Sequence, residues 1–182
     1  MDPSAVSPTP TWSWENWLLK NSQSGSAALD LHVHDVDTIQ WFFGAPAVVT
    51  SVGRAEADGG YGQIVTSYGY DDGPMVVAEG NWNFPPDFPF SKSALVTFEK
   101  AAVDFDSLSS PTLTVYLAEG GKENPDLSGM TGYTEEIRYF VNCVATGGVA
   151  DHIPLSESAK TVAIVEAEVE SAQAGGKAVK IK

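Results

Sequence analysis

The strongest constraint on this chain is a change of hydrophobic period at Gly44-Ala45-Pro46. Before it, AALDLHVHDVDTIQWFF (27–43) repeats apolar residues at helical spacing. After it, the runs VVTSVGRAEA, YGQIVTSYGY, PMVVAEGNWNF, SALVTFE, AAVDFD and LTVYLA alternate with the period of a strand. Gly followed two residues later by Pro stops a helix, because Gly accepts the left-handed position past the last turn and Pro cannot extend the ladder. Helical period returns in TEEIRYFVNCVATGG and in LSESAKTVAIVEAEVESAQAGG, the latter opened by Ser156 as an N-cap and closed by Gly175-Gly176. KAVKIK alternates again, as a last strand. Helices, a block of strands and then helices predict an α+β layer and not a doubly wound fold. About six strands are expected, mostly antiparallel because their connections are short. Asp71-Asp72-Gly73 and Glu99-Lys100 mark hairpins. Trp14, Trp17 and Leu18 predict a short amphipathic helix, preceded by an extended Pro/Ser/Thr-rich lead-in over 1–11; the domain proper is expected to run over 12–182.

At 182 residues, 43% apolar and 19% charged, the chain suits one domain with a full core. Ten basic against 24 acidic residues give a charge of −14, which repels phosphate backbones and anionic lipid, so neither nucleic acid nor a membrane is an expected partner. No run approaches the ~18 apolar residues of a membrane span. MDPSAVSPTP lacks the basic and apolar regions of a signal peptide, and a lone Cys143 fits a reducing compartment, so a cytoplasmic location is expected. Three histidines and one cysteine leave little for a structural zinc site, and no metal is expected.

On a helical wheel with Asp30 at zero, His34 falls at about 40°, Asp37 at about −20° and Trp41 at about 20°. Leu29, Val36, Ile39, Phe42 and Phe43 fall on the opposite arc, and His32 with them, as a packed core histidine. A carboxylate four residues from a histidine can fix its tautomer and leave the other ring nitrogen to a substrate, which is what a general acid or base requires. The same spacing also describes an ordinary solvated pair, worth only ~0.2–0.5 kcal/mol. LDLHVH further resembles the strand-one signature of metal-dependent amidohydrolases. Such a site needs more histidines from later strands of a barrel of ~250 residues, and only His152 remains.

The longer string SGSAALDLHVHDVDTIQWFFGAP resembles the start of the C-terminal domain of the Gfo/Idh/MocA (glucose–fructose oxidoreductase/inositol dehydrogenase) family, through Gly25, Leu29, Asp30, His34, Asp35, Asp37, Trp41, Gly44 and Pro46. Later segments agree in order: DDGPMVVAEGNW, then Tyr133, Glu136 and Phe140 on a helix, then VEAEVESAQAGGKAV. The resemblance implies an α+β, dihydrodipicolinate-reductase-like domain, an open, mainly antiparallel β-sheet of about six or more strands with helices on one face, whose open sheet face packs on a second copy, giving a homodimer or homotetramer. It implies an NAD- or NADP-dependent oxidoreductase acting on a sugar, polyol or other small hydroxylated substrate. His34 would be the proton acid/base, and Asp30 would orient it or contact substrate. Asp37 and Trp41 would be packing and capping positions. Family members hold the cofactor on an N-terminal Rossmann domain with a Gly-rich fingerprint and a Glu-Lys-Pro motif. Neither motif occurs here, so the chain alone is expected to be inactive and to bind no dinucleotide. Trp82 and Phe84, in the loop NWNFPPDFPF, are candidates for a substrate wall, or alternatively for packing. The competing functional reading is a non-catalytic dimerisation or ligand-binding module of the same fold.

Overall fold

The computed structural model describes residues 13–85, 87–127, 129, 132–152 and 154–182; the expected lead-in over 1–11 lies outside them. They form two compact units, one from the described residues up to 85 together with 151–152 and 154–182, the other from the described residues between Asp87 and Ala150.

In the first unit, Trp14–Leu19 is a kinked 3-10 segment with Glu15 and Asn16 in left-handed conformations (φ 53° and 58°). The amphipathic helix expected there does not form as a regular turn, and Trp14 is exposed. A one-turn helix α1 (Asn21–Ser24) follows, its first N–H donated to Asp58 Oδ2 at 2.7 Å. Next comes a continuous helical rod that starts as a π turn (Ala28–His32) and continues as α2 (Val33–Phe43). It ends where expected, with Gly44 at φ 77°.

Strands β1 (Val48–Ala55), β2 (Tyr61–Gly69) and β3 (Val76–Asn81) form antiparallel hairpins, the second across the predicted Asp71-Asp72-Gly73 turn. The last strand, β8 (Val179–Lys180), pairs antiparallel with β1 and completes a sheet in the order β3-β2-β1-β8. Helix α4 (Leu155–Gln173) precedes it and begins one residue before Ser156, so Pro154 and not Ser156 occupies the N-cap. Alternation sends Val49 and Ser51 of β1, Ile64, Thr66 and Tyr68 of β2, and Gly80 of β3 to the helical side, where all are buried. Facing them, α4 presents Thr161, Ile164, Val165, Glu168 and Ser171 at helical spacing, also buried. The apolar core is Ala28, Val36, Val49, Tyr61, Ile64, Tyr68, Ile164 and Val165. Polar members of this interface have partners: the Ser51 N–H donates to Ser171 Oγ (2.8 Å), and Ser51 Oγ meets Thr66 Oγ1 (2.7 Å).

The second unit holds β4 (Ser93–Thr97), β5 (Ala101–Asp106), β6 (Leu113–Leu117) and the two-residue β7 (Lys122–Glu123), all antiparallel in sequential order. The hairpin at Glu99-Lys100 is as expected. Helix α3 (Gly132–Thr146) follows. The α+β class and antiparallel pairing therefore hold. The six long strands divide three and three between two four-stranded sheets, at the Pro-rich stretch that follows β3.

Candidate functional site

The rod Ala28–Phe43 carries two histidines in opposite environments. His34 is exposed on the outer side, with Asp30 half-buried near it. Burial holds the Asp30 carboxyl above its ordinary value of 3.8, and the charge of His34 pulls it back down, so the two groups interact electrostatically. Asp30 sits inside the π turn and His34 in the first turn of α2, so the rod is wider between them than a uniform α-helix. Both still belong to one outer side, shared with the exposed Trp41. Thr38 Oγ1 donates to the His34 carbonyl (2.8 Å), bracing the turn below it. Asp37 is turned to α4, where its Oδ1 accepts from Thr161 Oγ1 at 2.8 Å, a structural role.

His32 lies on the inner side with its side chain 0% exposed, in the core as expected, but among charged groups. Its Nε2 is 3.3 Å from Glu168 Oε2 of α4 and 3.3 Å from the Tyr68 hydroxyl of β2; its Nδ1 is 3.5 Å from Asp35 Oδ2. Burial alone would lower the His32 pKa, but contacts with Asp35 and Glu168 and their negative charge outweigh it and raise it from 6.5 to about 9. The ring is therefore charged at neutral pH. The Tyr68 hydroxyl is pushed upward by burial, then by the charge of Glu168. Neither oxygen of Glu168 has a hydrogen-bonded donor, so the carboxylate, itself 0% exposed, depends on the charge of His32. A Cβ on Gly80 would lie 2.6 Å from the His32 Cβ, and only glycine lets β3 pass this closely. Glu168 and Tyr68 were not identified from sequence, although a carboxylate four residues after Ile164 within an apolar helix stripe signals a buried charge in need of a partner.

Trp82 and Phe84 leave the end of β3, both half-buried, with the Trp82 N–H donating to the Gly62 carbonyl (3.1 Å). Two grooves lie elsewhere. One of about 280 Å³ includes Asn21, Ser26, Tyr61, Glu166 and Gln173; the other, about 440 Å³, runs between α4 and β8. Asp30 and His34 line neither of these two grooves. LDLHVH is helical here, unlike the strand of an amidohydrolase signature. Among the described residues, no three His, Cys, Asp or Glu side chains gather as a metal site, and no helix is long and apolar enough to cross a membrane.

The whole fold recurs in solved dehydrogenases. Levoglucosan dehydrogenase in complex with NADH and levoglucosan superposes with a TM-score of 0.76 at 18% identity, over 99% of this chain and 55% of that one. The WlbA dehydrogenase from Bordetella pertussis, in complex with NADH and UDP-GlcNAcA, gives 0.73 at 16% identity, over 97% of this chain and 52% of that one. UDP-N-acetylglucosamine 3-dehydrogenase GnnA from Acidithiobacillus ferrooxidans gives 0.67 at 18% identity, over 93% and 51%. The chain thus spans about half the length of these proteins. No curated protein matches it by sequence. The GFO/IDH/MocA C-terminal domain profile matches residues 4–104, more than half of the chain and including the Asp30–His34 rod. By that match the chain belongs to the GFO/IDH/MocA family, as a C-terminal domain.

Proposed function

We propose that this domain is the substrate-side half of an NAD(P)-dependent oxidoreductase acting on a sugar, polyol or related hydroxylated compound, with His34 as its proton acid/base. The observation that carries this reading is the exposed His34 beside the half-buried, electrostatically coupled Asp30. An exposed imidazole can take the proton of a substrate hydroxyl, and the adjacent carboxylate stabilises the imidazolium that results. Trp82 and Phe84 supply apolar surface for a ring-shaped substrate.

The chain's own residues do not fit a dinucleotide. Gly60-Tyr61-Gly62 is the entry of β2, and the N–H groups of Gly60 and Tyr61 are already donated to Asp58 Oδ1 (3.1 Å) and Ser26 Oγ (2.9 Å). Redox chemistry would come from a nicotinamide held on a Rossmann domain outside residues 12–182. The NADH in the levoglucosan dehydrogenase and WlbA complexes supports that assignment. The sheet faces would join subunits into a homodimer or homotetramer, in the cytoplasm.

The test is turnover of the protein that joins this domain to its dinucleotide-binding partner. His34→Ala is expected to lower kcat by about 10²–10⁴-fold, as for a lost acid/base. An unchanged kcat would make the pair structural.

A further inference from the structure

We propose that His32, Glu168 and Tyr68 form a buried clamp that positions Asp30 and His34, making His32 and Glu168 positioning residues for the outer pair. The inference rests on the proton-handling reading of that pair, although its test requires no turnover.

The argument starts from the backbone. Asp30 and His34 flank His32 on either side, and His32 is the last residue of the π turn. A π turn closes its rings one residue wider than the α ladder and is common at functional sites, where it re-aims a side chain. Rewinding it into a regular α turn would rotate Asp30 against His34 by part of one residue's phase, less than about 100°, and change the distance between their side chains. Something must hold the wide turn open. Joint burial of Ala28 at its start and Val36 beyond it fixes the phase of the rod as a whole, and the polar contacts of His32 act on the turn between them. One contact of the clamp is a directional hydrogen bond, between Nε2 and the Tyr68 hydroxyl of β2, while Glu168 on α4, 3.3 Å from Nε2, and Asp35 on α2, 3.5 Å from Nδ1, add negative charge at fixed places on either side of the ring. Gly80 on β3 brings no charge and leaves the room that the ring needs. A buried ion pair of this kind adds little stability over an apolar pair of similar volume. Its contribution here is orientation.

Positioning and mere core filling make different predictions, readable in the chain itself by following the Asp30 carboxyl with ¹³C NMR as pH is lowered. In the natural background, His34→Asn is expected to raise the Asp30 midpoint, because the His34 charge that lowers it is gone. In a His32→Leu/Glu168→Leu background, kept folded by two apolar residues and verified by circular dichroism, that upward shift is expected to vanish. A shift of equal size in both backgrounds overturns the clamp and leaves the outer pair intact. No shift in the natural background instead overturns the pairing of Asp30 with His34, and with it the proposed function. If the double variant does not fold, Glu168→Gln, which keeps the shape and removes the charge, serves in its place. The shift should then shrink, and an undiminished one overturns the clamp.

Discussion

The two units of this chain solve the problem of burying a sheet differently. In the first, α2, the π turn and α4 cover one face of β3-β2-β1-β8, and the core residues from Ala28 to Val165 belong to it. In the second, Cys143 is the one buried apolar residue among the described ones. Alternation places Ala94, Val96, Val103, Phe105, Leu113 and Val115 on one face of its sheet, yet all are only half-buried or exposed. Leu95 is 75% exposed on the other face, and on α3 Phe140 is 63% exposed, with Ile137, Val141 and Val144 exposed beside it. The first unit carries its own cover. The second is patterned for burial beyond what it provides for itself.

Core truncation is the hardest test of this contrast. Ile164→Ala, in the covered sheet, is expected to lower unfolding free energy by about 2–5 kcal/mol in denaturant titrations. Val103→Ala, in the second sheet, should cost about 1 kcal/mol or less in the monomer. Equal losses would erase the distinction.

A smaller effect is expected with pH. Folding raises the His32 pKa from 6.5 to about 9, where contacts with Asp35 and Glu168 overcome the downward effect of burial. Its contribution to stability is therefore complete below about pH 6.5 and declines as pH rises through about 9. The melting temperature of the natural chain should fall across that window, and that of His32→Leu/Glu168→Leu should fall less. Parallel curves would show that the inner pair does not set the alkaline limit.

The smallest expected effect on folding concerns the second unit's surface. Leu95→Glu with Phe140→Glu should change monomer stability by no more than about 0.5 kcal/mol per site. Sedimentation at tens of micromolar should nevertheless shift from an assembly to a monomer. An unchanged sedimentation profile would place the subunit contact elsewhere.

Local chemistry made much of this legible in the sequence. The Gly44/Pro46 stop, the two hairpins, α3 and the return of a last strand all rest on short-range rules, and each has its counterpart in the structure. Period alone could not reveal how strands divide into sheets, since β3 and β4 alternate alike and differ only in their partners. The wheel placed His32 inward and His34 outward, although it assumed one uniform pitch through the π turn. The inner cluster was beyond it. Glu168 lies far along the chain, and only the docking of α4 on the sheet and rod brings it to His32.

The narrow passage of β3 past the rod also limits how this domain can vary over evolutionary time. With only 2.6 Å between a Cβ at position 80 and the Cβ of His32, position 80 cannot take a side chain while position 32 carries a Cβ. A side chain at Gly80 becomes admissible only after His32 has become glycine, the one residue without a Cβ, and that replacement strands Glu168 without its countercharge. Substitutions at these three sites are therefore ordered: Glu168 changes first, His32 next, and Gly80 last.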